Sequence, residues 1–273
     1  MIRILVLLTF ILSTAAQAQT RRPSHCFAIA DAAPGLSYIH RASYSDPVPE
    51  FSVRISYVDH SMFLIQTPGG LGVATDYTGY MGPVTYLPNV VTMNHAHSSH
   101  WTPNVDEGVE HVLEGWGRLG GAADHYLDLR EMLIRNVSTD IRSRSGSVER
   151  NGNSIFIFEV EGLCIGHLGH LHHEPTEQQY VALGRLDIVM AAVDGGLTVD
   201  LPTMTRIINR LKSSIVIPMH WFGRSALDLF LAEMADEFDI IQTGQTELEV
   251  SLRSLPRRPT IMVLEPQLLD DAP

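Results

Sequence analysis

Histidines crowd two short stretches of this chain. "NHAHSSHW", residues 94–101, carries His95, His97 and His100, and "HLGHLHH", residues 167–173, carries His167, His170, His172 and His173. With 13 histidines in 273 residues, a His-x-His-x-x-His pattern arises by accident in about 0.03 of such chains. Chance is a poor account of the first stretch and a worse one of both. Imidazole is the commonest protein ligand for zinc and related ions. A third signal is His220, which ends the apolar run of "VIPMHWFG". Alone, such a histidine would more often be a satisfied core or rim residue; beside two clusters it counts as a ligand candidate.

The elements that must deliver these rings are strands. "NVVTM" runs into the first cluster, "GLCIG" into the second and "SIVIPM" into His220. His95 and His97, two apart, point the same way if the chain stays extended, and His100 can return to the same point after a turn. Residues 51–66 alternate and are rich in β-formers; "TPGG" turns the chain, and "LGVATD" returns as a strand. "NSIFIFEVEGLCIGHLGH" repeats the plan of "HSMFLIQTPGGLGVATDY", which suggests two similar hairpins each delivering polar residues at a strand's end. "DHYLDLREMLI" has helical spacing, and "RSRSGSVERNGN" reads as a polar loop. Further on, "TEQQYVAL" is a short helix with Thr176 as N-cap, "DIVMAAV" a buried strand, "LPTMTRIINRLK" an amphipathic helix and "SALDLFLAEMADEF" another. Short strands follow near 239–241, 247–252 and 260–264. Strands with helices outside them predict an α/β sandwich.

Apolar strand, His-x-His-x-x-His, "HLG-x" and a late "IPMH" together resemble the metallo-β-lactamase-fold hydrolases, nearest the branch that includes L-ascorbate-6-phosphate lactonase. The likeness runs from about Ile55 to about Phe222. It implies an αββα sandwich, two mixed β-sheets with helices on the outer faces, with a metal site at one rim and hydrolysis by metal-bound hydroxide. It also implies ligand roles for His95, His97, His100 and His220, and a bracing role for Asp76 of "ATDY". Two positions depart from the family pattern. Ser99 stands where the first motif has an aspartate, and His170 stands where a bridging aspartate follows "HLG". Each change removes an anionic ligand, so a site holding one ion through four or five imidazoles is expected over a conventional two-metal site. His167, three before His170, is a further ligand or support. His111 and His125 sit in no ligand context.

The acid that would orient the attacking hydroxide is missing from the motif. Asp194 in "AAVDGG" is one candidate and a turn-capping residue in the alternative; His60 in "VDHSMF" matches a histidine of the family's first hairpin. These two are the catalytic candidates. Trp101, Trp221 and Phe222 flank the ligands and read as core or pocket wall. No G-x-S-x-G or phosphate-binding loop occurs, and Cys164 lies in an apolar strand that would not activate a thiol.

Composition bounds the rest. Mean hydropathy is near zero, 45% of residues are hydrophobic, and the net charge is −12. Such an acidic chain disfavours nucleic acid and anionic lipid as partners and leaves a small-molecule substrate. "MIRILVLLTFILSTAAQAQT" has a short positive start, an apolar run and an Ala-x-Ala site, so residues 1–18 read as a secretory signal peptide, with an uncleaved anchor as the alternative. Residues 19–50 form an N-terminal extension, 51–266 the metallo-β-lactamase-like domain, and 267–273 an acidic, frayed tail. The expected location is periplasmic or extracellular, with no membrane contact after cleavage. Two cysteines, Cys26 and Cys164, permit one disulfide that the sequence does not decide. The function expected is an exported metal-dependent hydrolase of an ester, lactone or phosphoester, using one or two Zn²⁺ ions, or Mn²⁺ or Fe²⁺. The alternative is a non-catalytic metal- or ligand-binding protein on the same fold, because Ser99 and His170 replace metal-binding acids.

Overall fold

The computed structural model of the protein describes residues 21–27, 43–142 and 146–271. Residues 1–18, read above as a signal peptide, lie outside the described residues, and the expected extension at 19–50 is described only at 21–27 and 43–50. The strands are β1 (Ser52–Asp59), β2 (Met62–Gln66), β3 (Gly72–Ala74), β4 (Val90–Met93), β5 (His111–Glu114), β6 (Tyr126–Asp128), β7 (Met132–Arg142), β8 (Val148–Val160), β9 (Leu163–His167), β10 (Ile188–Ala192), β11 (Ile215–Met219), β12 (Asp239–Gln242), β13 (Glu247–Ser251) and β14 (Thr260–Val263). The helices are α1 (Glu177–Leu183), α2 (Leu201–Leu211) and α3 (Arg224–Met234).

Two mixed sheets form. The first has the order β13-β1-β2-β3-β4-β5 and the second β12-β14-β11-β10-β9-β8-β7-β6. In the first, β1 to β3 form antiparallel neighbours and β4 joins β3 in parallel. In the second, β9, β10, β11 and β14 run parallel, while β6 to β9 meander antiparallel. The two hairpins expected from the sequence are present as β2–β3 and β8–β9. The inner faces meet in one core that includes Val53, Ile55 and Phe63 from the first sheet and Phe156, Phe158, Ile165, Met190 and Ile217 from the second, all fully buried. Each side chain removed from water in this way contributes roughly 1.5–3 kcal/mol.

The predicted sandwich is therefore observed, with helices on one side. Leu183 of α1, Met204, Ile207 and Ile208 of α2 and Leu227 and Phe230 of α3 pack on the second sheet's outer face. Thr176 caps α1 in a reciprocal box with Gln179, and Asp200 caps α2 by accepting from Thr203 N. The outer face of the first sheet carries Met62, Leu64 and Met93 beneath Tyr77, Met81, Val105 and Val109. Those covering residues come from irregular segments studded with Gly79, Gly82, Pro83, Pro88, Pro103 and Gly108, which suit loops over helices.

Three local expectations are corrected. "DHYLDLREMLI" forms β6 and the start of β7, paired Leu127↔Ile134 and Asp128↔Leu133. Met132, Leu133 and Ile134 are consecutive and all buried. A strand covered on both faces loses its period-2 signature, and the residual spacing imitates a helix. "RSRSGSVERNGN" is largely strand, since β8 begins at Val148 and its polar first half projects beyond the core. The tail is docked as far as 271: Leu269 is buried, its N–H reaches Met81 O at 2.8 Å, and Asp271 accepts from the Thr85 N–H and from the Tyr44 hydroxyl. Cys26 and Cys164 form a disulfide that ties the extension to β9 across 138 positions. Among the described residues no helix is long and apolar enough to cross a membrane.

Candidate metal centre

Strand ends gather at one rim between the sheets. Beyond β4 the chain enters Asn94–His100; β9 ends at His167 and leads to His170; β10 leads to Asp194, and β11 to His220. The turn between β1 and β2 brings His60 to the same rim. The carboxyl ends of parallel strands are where open α/β sheets bind ligands. Three residues here, His60, Asp76 and His220, hold positive φ of 45°, 51° and 60°. That conformation is costly for non-glycine residues and recurs at functional sites.

The centre rests on two braced imidazoles. His100 is fully buried, and its Nδ1 hydrogen-bonds Asp76 Oδ2 and lies 3.1 Å from Ser61 Oγ. Asp76 also accepts from Asn94 N at 3.0 Å. Burial pushes the Asp76 carboxyl up, but the His100 charge and hydrogen bond outweigh it and hold the group at about 2. His220 Nδ1 lies 2.8 Å from Asp194 Oδ2, although its ring N–H is poorly aligned with that oxygen. The Nε2 atoms of His100 and His220 face each other at 3.2 Å. If each Nδ1 keeps its proton for its carboxylate, each Nε2 presents a lone pair, and two lone pairs at that distance need a cation or a proton between them. Two ligands of a tetrahedral zinc, with bonds of about 2.0–2.1 Å, stand about 3.3 Å apart.

The remaining motif histidines surround this pair. His170 has ring centroids 4.5 Å from His100, 5.5 Å from His220, 5.6 Å from His95 and 5.9 Å from His97. Both of its ring nitrogens are buried without a hydrogen-bond partner. An orphaned buried imidazole is expensive in a protein, and a metal ion is what this donor set would satisfy. Burial, then repulsion from His100 and His172, depresses its basicity far below the usual histidine value. His95 is oriented by Gly152 O at 2.6 Å from Nδ1, and His97 by Ser99 Oγ at 3.0 Å. Ser99 thus positions an imidazole where a family aspartate would stand. The turn that presents His170 requires Gly169, at φ +63°, because a Cβ there would lie 2.4 Å from Asn94 Nδ2 and 2.7 Å from Asn153 Oδ1.

Not every candidate belongs to the cluster. Of the two readings of His167, ligand or support, its contacts are those of a support: its Nε2 is 2.7 Å from Ser61 O, and its Nδ1 accepts from Gly169 N and faces Asn94 Nδ2. Both nitrogens are spoken for, and the ring is fully buried. Of the two readings of Asp194, the structure places it as the turn cap, and it also faces His220. Its Oδ1 accepts from the N–H groups of Gly196, Leu197 and Thr198 at 2.8, 2.7 and 3.1 Å, and Oδ2 faces His220. Burial raises this carboxyl, but His220 and the backbone donors bring it down to about 2. His60 does lie in the cluster, with its ring centroid 3.9 Å from His220 and 5.5 Å from His100. Burial, then repulsion from His220 and His100, lowers it to about 3. His111 begins β5, and His125 Nε2 bonds Glu114 O, away from the cluster. Among the described residues, two groups bring three potential ligand atoms within 4.8 Å of one another: His60 with His100 and His220, and His25 with Cys26 and Cys164. The disulfide removes the second.

A cleft of about 660 Å³ opens over the cluster, lined by His95, His97, Ser99, His170 and His220 with Arg142, Glu149, His172, Leu197 and Phe222. Phe222 is a wall residue, 69% exposed at the mouth. A larger groove of about 1180 Å³ lies under the Tyr77–Leu87 segment and contains none of these histidines. Arg142, Glu149 and Asn153 were not singled out in the sequence. Asn153 accepts from His170 N at 2.9 Å and pairs with His95 across the sheets, so it joins the two histidine stretches. The signal that could have found it is the alternation of "RNGNSIFIF", which continues the strand into the apparent loop.

The comparisons with known proteins agree with this geometry. The model of the beta-lactamase superfamily domain matches residues 54–220. No curated protein matches the chain. Among solved structures, a protein of the metallo-beta-lactamase superfamily from Thermotoga maritima is 22% identical, with a TM-score of 0.57 over 79% of this chain and 100% of that one. Igni18, a metallo hydrolase from Ignicoccus hospitalis, is 18% identical, with a TM-score of 0.50 over 68% and 91%. The metallo-beta-lactamase fold protein YhfI from Bacillus subtilis is 8% identical, with a TM-score of 0.52 over 80% and 98%. At these identities the structures speak for the fold, and the family match extends from Arg54 to His220, ending on the histidine whose Nε2 faces His100: the chain belongs to the beta-lactamase superfamily, the metal-dependent hydrolases of the metallo-beta-lactamase fold.

Proposed function

We propose that the protein is an exported zinc-dependent hydrolase of a small ester, lactone or phosphoester. The observation that carries this reading is His170, an imidazole with both nitrogens buried and unpartnered amid the rings of His95, His97, His100 and His220. These five side chains form the candidate ligand set for one or two ions, and an all-imidazole set suits zinc better than manganese, which favours carboxylates. When bound, a divalent ion supplies Lewis-acid polarisation of a carbonyl or phosphoryl oxygen and makes water acidic enough to react near neutral pH. Asp76 keeps His100 Nε2 unprotonated, and Asp194 restrains His220. Among the described residues Glu149 is the sole carboxylate of the cleft lining, and it is the group placed to take up a proton there. Arg142 is the cation of the lining and suits an anionic part of a substrate; its guanidinium is held by Gly196 O and Thr198 O, each at 3.3 Å. Phe222 and Leu197, 69% and 59% exposed, form apolar lips that would cover a bound substrate. The lactone and phosphoester classes draw on the likeness to the ascorbate-phosphate lactonase branch. Export is supported by the Cys26–Cys164 disulfide, since such bonds persist in oxidising compartments.

A second reading, a metal-binding protein without catalysis, is favoured by Ser99, whose hydroxyl is 3.0 Å from His97 Nδ1 and offers no acid to the cleft. Metal analysis of the purified protein, followed by a screen of model esters, lactones and phosphodiesters, separates the two. Bound zinc with turnover on one class supports the hydrolase. Bound zinc without turnover, with activity gained only in Ser99→Asp/His170→Asp, supports the second reading. Absence of any bound metal refutes both.

A further inference from the structure

We infer that His60 is itself a metal ligand, completing a three-imidazole seat with His100 and His220 in place of the acid that Ser99 does not supply. The inference rests on the metal-binding reading above and gives His60 a role that the histidine motifs do not. One ligand atom from each of His60, His100 and His220 lies within 4.8 Å of the others. Among the described residues no other set of three histidines is gathered so tightly. Three imidazoles around one point, with the fourth position left open, form a ligand set used by catalytic zinc sites.

The backbone is built to hold His60 at this place. It sits at the tip of the β1–β2 hairpin, beyond a register shift between Tyr57 and Asp59, at φ +45°. A hairpin tip favours glycine or asparagine in that region, so a histidine there carries a conformational cost that its placement must offset. Its carbonyl oxygen accepts from the Tyr57 hydroxyl at 2.5 Å and from His220 N at 2.8 Å. The second bond ties the hairpin tip directly to the residue with which its ring would share an ion. The ring centroid lies 3.9 Å from that of His220, 5.5 Å from His100 and 5.0 Å from Phe222, each pair tilted by 43–47°. Among the described residues it has no hydrogen-bond partner of its own, unlike His167, whose two nitrogens are both engaged.

Ser99 explains why the seat needs a third ring. Its hydroxyl is turned to His97 Nδ1, and a neutral hydroxyl is in any case a poor ligand for a divalent ion. His100 and His220 alone would offer two nitrogens. His60 raises the set to three without adding charge.

The test is zinc titration of the metal-free protein by calorimetry, for the natural chain and for His60→Asn, with ¹⁵N-histidine NMR of the natural chain during the titration. Asparagine tolerates positive φ, so the hairpin keeps its turn, and thermal melting of the metal-free variant verifies that the fold is retained. The expected result is that His60→Asn loses one zinc equivalent or binds it at least about 100-fold more weakly, beyond the roughly 10–100-fold effect of removing a hydrogen-bonded brace. A His60 ring nitrogen resonance moves out of the free-imidazole range as zinc is added. Unchanged stoichiometry and affinity in His60→Asn, with the His60 resonance unmoved, overturns the inference and leaves the metal-dependent reading intact. A natural chain that takes up no zinc overturns both.

Discussion

Replacing Asp76 with asparagine isolates the brace from the fold. The carboxylate is fully buried, with Oδ1 accepting from Asn94 N at 3.0 Å and Oδ2 hydrogen-bonded to His100 Nδ1. Asparagine preserves the Oδ1 acceptor and tolerates the φ of 51° at this position. At the other arm it places an NH₂ donor against Nδ1. His100 then takes the opposite tautomer, with its proton on Nε2, the nitrogen that faces His220 at 3.2 Å. The lone pair meant for an ion is lost unless the tautomer is forced back. Loss of such a carboxylate–histidine brace costs about 10–100-fold in metal affinity, or about 1.4–2.8 kcal/mol at 1.4 kcal/mol per tenfold. The metal-free protein keeps a neutral hydrogen bond in the same place, so its melting temperature should shift by only a few degrees. The assay is competition for zinc against a chromophoric chelator, with melting of the metal-free forms alongside. An Asp76→Asn variant that folds as well as the natural chain and binds zinc equally tightly would refute the reasoning.

Other perturbations separate support from ligation. His167→Ala should cost about 2–4 kcal/mol of stability through a buried cavity and the lost bond to Ser61 O, yet leave the zinc equivalents per folded chain unchanged; a lost equivalent with the fold intact would return His167 to the ligand set. Replacing Cys26 and Cys164 with alanine opens a loop spanning 138 positions and should lower stability by about 2–5 kcal/mol, measured by denaturant unfolding; an unchanged midpoint would contradict this. The metal-free protein should be acid-labile. Burial, then repulsion from His220 and His100, lowers His60 to about 3, and burial lowers His172 to about 4, both below the 6.5 of a free imidazole. The unfolded chain therefore binds more protons, so the stability these rings contribute is complete above pH 6.5 and is lost as pH falls towards 3. Melting temperatures flat from pH 7 down to pH 4 would contradict that sign.

Much of the fold could be read from residues alone because each ligand stretch follows an apolar strand. "NVVTM", "LCIGH" and "IVIPM" announce β4 of the first sheet and β9 and β11 of the second, and the ends of these strands bring His95, His170 and His220 to one rim. The helix expected at 124–134 failed because Met132 to Ile134 are covered on both faces, which erases alternation. The role of His167, ligand or support, stayed open in the sequence for a different reason. Spacing puts it three before His170, but only the approach of the β1–β2 turn, with Ser61 O at 2.7 Å, decides that its nitrogens are taken. Asp194 shows that two readings of one residue can both hold in part: it caps the turn at Gly196–Thr198 and faces His220. Arg142, at the end of β7, and Glu149, in the polar half of β8, escaped notice because these polar stretches resemble a loop until their pairing with each other is known.

The claim on which the whole account depends is that a divalent ion sits among imidazoles at this rim. X-ray absorption at the zinc edge of the zinc-loaded protein tests it directly. The account predicts a first shell of nitrogen and oxygen scatterers at about 2.0–2.1 Å, with the multiple-scattering signature of at least three imidazoles and no sulfur. A sulfur shell near 2.3 Å, fewer than three imidazoles, or a protein that fails to retain zinc would contradict it.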